Sequence, residues 1–379
     1  MKMARLFAVV LACFAVLACS REPEPLRIGA VLSVTGSAAY LGEPEKNTLL
    51  MLQEELNAQG GLDGRKVELI VYDDASDVSQ CIQAAIRLIQ EDRVDVVIGP
   101  STSGNTLAVR QLFGPARIPL VSCAASERIV RPVDPWVFTT AQLDRAAVGK
   151  ILADARRKGY AKLASISVTD GFGQSGRAVL RELVRAQGLQ LVADEVYGPS
   201  DTDVSVQLGR IRDAGPEAII CWGTNPGAAV VARDRLRLGL ATPLYMSHAV
   251  ASLKFLEQAG EAAEGIILPA GRLAVVDQVP EGGHWKALLG SYVERYGKKY
   301  GTPPSMFGGF AYDAFMLVAS AAHAAKSAQP QKIRDNLERI KGLAGTAGIF
   351  TMSPENHNGL DEGAFLMVTI EQGRWKVLY

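Results

Sequence analysis

From residue 26 onward, short apolar runs of strand length alternate with longer stretches whose apolar positions recur every three or four residues. The run 26–32 (Leu-Arg-Ile-Gly-Ala-Val-Leu) predicts a strand, and residues 43–58 carry helical periodicity that stops at Gly60-Gly61. A strand at 67–72 follows, then a helix at 79–90 with Ile82, Ala85, Ile86 and Ile89 on one face, and a strand at 94–98. A helix then reaches to Phe113 and a strand occupies 118–122. The pattern restarts with strands at 162–168, 189–197, 218–222 and 243–247, separated by helices at 174–186, 204–213 and 226–238. Such alternation predicts the α/β class, with two doubly wound units in series, each a parallel sheet covered by helices on both faces. The tail fits neither unit alone. It predicts helices at 284–300, 307–326 and 332–340, then strands at 363–371 and 374–378 meeting at Gln372-Gly373, a hairpin signal. A helical block followed by a hairpin suits a chain that crosses back between lobes.

The chain has 379 residues, enough for two domains with full cores. Forty basic against forty acidic residues give a net charge of zero, so no clustered positive surface for nucleic acid is expected. The first nineteen residues stand apart. Lys2 and Arg5 precede an apolar run at 6–18 that is too short to span a bilayer and right for a secretory signal. It ends in Val16-Leu17-Ala18-Cys19-Ser20, which resembles the lipobox of bacterial lipoproteins, with Cys19 as the acylated residue. Residues 20–25, charged and proline-bearing, read as a tether. The expected location is the periplasm, held to the membrane by lipid. Of the five cysteines, Cys81, Cys123 and Cys221 belong to the body; one disulfide is open to them, and buried small hydrophobes are the better reading.

In open α/β sheets a ligand sits beyond the carboxyl ends of the strands. The segments there are 33–42, 99–105, 122–127, 169–176, 223–226 and 247–252, all rich in Ser, Thr, Gly and other small residues. Several lead into helix N-termini, where exposed amides favour an anion without help from Lys or Arg. Ser103 is the sharpest case, although Ser101, Thr102 and Ser103 read equally well as helix caps. Catalytic equipment is sparse. His248, His284, His323 and His357 are scattered without metal-ligand spacing, and there is no Cys-x-x-Cys, Walker A or Gly-x-Ser-x-Gly. No metal or cofactor is expected. His323 reads as structural, His284 and His357 as solvated, and His248 as a ligand contact at a strand end. Gly171-Phe172-Gly173-Gln174-Ser175-Gly176 spells a dinucleotide fingerprint, with Asp194 and Glu195 downstream. The plainer reading is a glycine turn that brings Phe172 to the crevice rim.

The stretches Ile28-Gly-Ala-Val-Leu-Ser-Val-Thr-Gly36, Asn57-Ala-Gln-Gly-Gly-Leu-Asp-Gly64, Tyr72-Asp-Asp74, Val97-Ile-Gly-Pro100 and Ala311-Tyr-Asp-Ala314 resemble the type I periplasmic binding proteins of the branched-chain amino-acid (leucine/isoleucine/valine) transport family. The resemblance implies two Rossmann-like lobes joined by a three-strand hinge, closing over a ligand that is handed to the permease of an ABC importer. It divides the chain into 26–141 plus 272–346 as the first lobe and 142–271 plus 347–379 as the second. The expected form is a monomer that is not an enzyme.

The resemblance also carries binding residues. The serine that holds the ligand carboxylate falls on Ser103, and an Ala-x-Thr pair falls on Ala124 and Ser126. Second-lobe tyrosine positions fall on Phe172 and on Thr224 beside Trp222, and a first-lobe tyrosine position falls on Leu41 next to Tyr40. Where an acidic partner for the ligand ammonium is usual, this chain has His248. Asp144, near the first crossover, is a substitute. With such a partner the ligand is a small carboxylate of the branched-chain or related amino-acid kind; without one it is an aliphatic or aromatic carboxylate lacking an α-amino group, since a buried ammonium needs a charge partner. A ligand-sensing regulator of the same fold and an NAD-dependent enzyme are the rival classes.

Overall fold

The computed structural model describes residues 23–379. The signal segment, the acylation site Cys19 and the start of the tether lie outside the described residues. Among the described residues no helix is long and apolar enough to cross a membrane.

Two sheets organise the molecule. The first contains β1 (Leu26–Leu32), β2 (Val67–Asp73), β3 (Val96–Ile98), β4 (Leu120–Ser122) and β5 (Val137–Thr139) in the order β2-β1-β3-β4-β5, all parallel. The second contains β6 (Lys162–Val168), β7 (Gln190–Tyr197), β8 (Ala218–Trp222), β9 (Leu244–Met246) and β10 (Ile267–Ala270) in the matching parallel order β7-β6-β8-β9-β10. A short ladder, β11 (Leu343–Ala344) with β12 (Ile349–Phe350), stands outside both. The hairpin β13 (Leu366–Glu371) and β14 (Arg374–Val377) then extends the second sheet antiparallel beside β10. Helices cover both faces, so the central strands are buried almost without interruption: every residue of β8 is buried, and all but the first of β6.

Helix boundaries follow local chemistry. The helix Val78–Gln90 starts where the Asp77 carboxylate accepts the Gln80 amide at 2.9 Å, and it buries Cys81, Ala84, Ala85 and Leu88 on one stripe. The helix Gly171–Ala186 starts where Asp170 accepts the Gly173 amide at 2.8 Å. The long helices His284–Tyr300 and Met306–Ala325 belong to the first lobe: Tyr292 and Thr48 share a hydroxyl contact at 2.7 Å, and the Tyr300 hydroxyl donates to the Asn47 carbonyl at 2.7 Å.

The chain passes between the lobes three times, but two of the passages lie later than the sequence suggests. Residues Arg272–Gln278 still rest on the second sheet, where Gln278 exchanges hydrogen bonds with the Trp375 carbonyl (2.8 Å) and the Val377 amide (2.9 Å). Residues 347–358, expected in the second lobe, still lie along the edge of the first. There the Thr139 amide donates to the His357 carbonyl at 3.1 Å and the Asn358 side-chain amide donates to Thr139 and Ala141. The passages are knotted together: the Gln142 side chain donates to the Ala347 and Ala364 carbonyls, and buried Asp313 accepts from Thr346 and Ala347.

Candidate functional site

In a 2-1-3-4-5 sheet the chain winds in opposite directions on either side of the first strand, so the loops after strands one and three diverge and leave a crevice. Both lobes have that order. The loops following β1, β3, β6 and β8 face one another across a cavity of about 510 Å³. Seven of the ten residues singled out from the sequence line it: Ser103, Ala124, Tyr40 and Leu41 from the first lobe, and Phe172, Thr224 and His248 from the second.

The first-lobe wall carries polar hydrogen. Thr102 caps the helix Ser103–Val109 by accepting the Asn105 amide, which leaves the Ser103 and Gly104 amides without intrahelical partners. The Ser103 hydroxyl oxygen accepts the Ser126 amide at 3.2 Å, which fixes it against the next loop. Behind it lies a feature the sequence did not reveal. The Ser101 hydroxyl donates to the carboxyl of Glu45, a fully buried residue, while accepting the Ser33 amide at 3.0 Å. Burial pushes the Glu45 carboxyl well above the ordinary carboxylate range, which disfavours a negative charge behind the site.

The second-lobe wall mixes polar residues (Thr169, Asp170, Gln174, Thr224, Asn225) with Phe172 and His248, which rest on an aromatic cluster. Phe172 stacks on Trp222 with ring centres 5.6 Å apart, and the His248 ring meets the edges of Phe172, Trp222 and Phe365 at 5.7, 6.0 and 5.2 Å. Burial drives the His248 imidazole down to about 3, so it is neutral. Among the lining residues no Lys or Arg is present, and Asp170 is the sole carboxylate; burial raises its proton affinity while its cap bond to Gly173 lowers it.

Three expected residues sit elsewhere. Ser126 is fully buried, with its hydroxyl oxygen accepting the Arg128 amide, so it supports Ser103 from behind. Trp222 forms the floor beneath Phe172 and has no exposed surface. Asp144 does not line the cavity. Its carboxyl accepts the Ser175 hydroxyl and the Glu127 amide across the seam between lobes, and burial raises it to about 8. A group so held is not placed to meet a ligand ammonium. His357 also departs from its solvated reading: it is buried, stacked on Phe138 at 4.0 Å, with its two nitrogens on the Val137 carbonyl and Glu338. His323 is exposed and paired with Asp63. The three cysteines are buried and free, and among the described residues no group of His, Cys, Asp and Glu is arranged to hold a metal.

The glycine fingerprint is used for packing. A side chain at Gly173 would strike the Val168 carbonyl, one at Gly176 would strike the Trp222 indole, and one at Gly171 would meet Gly104 of the opposite lobe. Asp194, which a dinucleotide would need free, is engaged by Arg177, Arg181 and Ser165. The Gly171–Gly104 approach, with the Tyr40 hydroxyl lying against Thr224 and Asn225, shows two lobes already closed on the cavity.

Comparison with known proteins agrees with this geometry. A family model described as periplasmic binding protein matches residues 25–374. A curated relative from Pseudomonas aeruginosa, the leucine-, isoleucine-, valine-, threonine-, and alanine-binding protein, is 24% identical over 341 residues, covering 89% of this chain and 88% of its own. An extracellular ligand-binding receptor from Rhodopseudomonas palustris HaA2 superposes with TM-score 0.87 at 28% identity, covering 93% of this chain and 99% of that one. A branched-chain amino acid transporter substrate binding protein from Streptococcus pneumoniae, solved with isoleucine, superposes with TM-score 0.80 at 25% identity, covering 93% and 98%. With a two-lobed fold, a closed interlobe cavity and a family match over almost its whole length, this chain belongs to the periplasmic binding protein family.

Proposed function

We propose that this chain is the extracytoplasmic substrate-binding component of an ABC importer, tethered to the membrane through lipidated Cys19, and that it encloses a small carboxylate between its lobes. The observation that carries the reading is the first-lobe wall. The Ser103 hydroxyl and the Ser103 and Gly104 amides form a set of hydrogen-bond donors, with no basic side chain required. The second-lobe wall, with Phe172 backed by Trp222, then closes over the ligand body, excluding water and strengthening the polar contacts. The chemistry suits non-covalent binding, which the relatives' names also describe for those proteins.

Removing the hydroxyl in Ser103→Ala takes away one contact worth about 0.5–1.5 kcal/mol and frees the Ser126 amide inside the protein. Calorimetry on this variant should show affinity for a bound carboxylate reduced by roughly three- to tenfold or more. The corresponding carboxamide should bind the native protein far more weakly. Unchanged affinity in the variant, together with equal binding of acid and amide, would refute the assigned carboxylate site.

A further inference from the structure

One guanidinium is gripped from both lobes at the seam between them. Arg145, three residues past Gln142 at the first crossover, donates to both carboxylate oxygens of Glu127 in the first lobe, at 3.1 Å each. It also donates to both oxygens of Glu182 in the second lobe, at 2.9 and 2.8 Å. Two such forks on one planar cation are demanding in direction as well as in length, a geometry that Arg offers and Lys does not.

The two pairs differ in weight. The Glu127 side chain is 13% exposed and that of Arg145 34%, whereas Glu182 is 60% exposed. An exposed pair contributes little, so Glu182 chiefly aims the guanidinium. The shielded pair with Glu127 supplies the attraction across the seam.

The first-lobe half of the contact belongs to the loop that builds the cavity wall. Ala124 and Ala125 line the cavity, the Ser126 amide holds the Ser103 hydroxyl at 3.2 Å, and the Glu127 amide donates to Asp144 at 3.3 Å. The second-lobe half sits at the start of the helix Asp144–Arg157, where the Asp144 carboxyl also takes the Ser175 hydroxyl of the helix Gly171–Ala186. A rotation that parts the lobes has to draw Glu127 away from Arg145. The Arg145–Glu182 pair, inside one lobe, travels intact.

We propose that Arg145 is an interlobe latch: its pair with Glu127 forms as the lobes close, favours the closed form before any ligand arrives, and so sets the fraction of molecules ready to hold one. Capture of any ligand scales with that fraction. Because Arg145 is partly exposed, salt loosens the latch. The latch needs no particular ligand, so it stands or falls apart from the carboxylate reading.

The test is the distance between the two lips of the cleft in the unliganded mature chain. Ser79 and Ser200 are exposed next to Val78 and Pro199, which line the cavity from opposite lobes, and the three native cysteines of the body are buried. Spin labels on Ser79→Cys and Ser200→Cys, read by pulsed electron resonance, separate a short lip-to-lip distance from a long one. The native chain should populate the short distance. In Arg145→Met and in Glu127→Gln, both close in shape to the native residues, the ratio of short to long should fall about two- to tenfold. The double variant should lose no more than the larger single loss, Arg145→Lys should fall between, and Glu182→Gln should lose less than Glu127→Gln. Raising sodium chloride from about 0.05 to 0.5 M should lower the ratio in the native chain and leave Arg145→Met nearly unchanged. Should Arg145→Met fold poorly, Glu127→Gln and the salt series carry the same test. A single long distance in the unliganded native chain, a ratio unmoved by either substitution, or losses that add in the double variant would overturn the proposal.

Discussion

Closure depends on backbone meeting backbone at one place, and that place can be perturbed by a single methyl group. A Cβ built on Gly171 lies 3.0 Å from the Gly104 Cα, 3.1 Å from its nitrogen and 3.6 Å from the Ser103 carbonyl carbon. Carbon atoms prefer roughly 3.5–4.0 Å, so the added methyl is about 0.5 Å too close to groups that have no rotamer to change. The lobes must part slightly or the helix must shift, at a cost near the 1–3 kcal/mol typical of overpacking. Because affinity scales with the fraction of molecules able to close, Gly171→Ala should weaken binding of a carboxylate ligand about 5- to 150-fold. Within the helix, Ala is favoured over Gly, so the unliganded variant should melt no lower than the native chain. Gly149→Ala is the control, since its Cβ meets nothing within 4 Å. The assays are titration calorimetry, thermal melting and small-angle scattering of the unliganded protein. Affinity within twofold of native, in a variant that folds normally, would refute the claim that this contact belongs to the binding-competent state.

Other expected outcomes concern the seam and the floor. Asp144 rises to about 8 in the fold from an ordinary value of about 3.9 when unfolded, so the folded state holds a proton that the unfolded chain releases. The stability tied to that proton is full below about pH 4 and is lost as pH rises toward 8. Asp144→Asn should therefore flatten the fall in Tm between pH 5 and 8. Part of the slope will remain, because Asp313 is likewise raised, to about 7; an unaltered slope would contradict the buried, protonated Asp144. Gly176→Ala drives a methyl into the Trp222 indole and should lower Tm by several degrees, at about 2–4 °C per kcal/mol for lobes of this size. Native-like melting and unchanged tryptophan emission would show that the floor yields more easily than its packing implies.

The architecture was legible because it rests on local periodicity. Strands at 26–32 and 162–168 coincide with the observed β1 and β6, and the hairpin predicted at Gln372-Gly373 forms with both residues at positive φ, 53° and 68°. What escaped was either masked locally or tertiary in origin. β5 follows Pro135 and β10 contains Pro269, a residue that reads against a strand, and the helix Asp144–Arg157 begins with the charged pair Asp144-Arg145 rather than an apolar stripe. Polar side chains were misplaced for a shared reason: their burial is decided by partners distant in sequence. Glu45 is buried because Ser101 meets it, His357 because Phe138 and Glu338 enclose it, and Asp144 turns away from the ligand because Ser175 and Glu127 claim it.

The glycine fingerprint shows the same division inside a single motif. Its spelling is that of a phosphate cradle, and the helix that follows it begins as such a helix should. Yet Gly173 and Gly176 are explained by contacts within the second lobe, to Val168 and Trp222, whereas Gly171 is explained by Gly104 in the first. The two inner glycines let the helix lie close on its own sheet, a need shared by any tightly packed strand–turn–helix unit. Gly171 answers a need that arises only when two lobes meet, so the spacing alone could not separate a nucleotide site from a closing cleft. The neighbours in space do separate them. That is why substituting Gly171 should weaken ligand capture without weakening the fold, while substituting Gly176 should do the reverse.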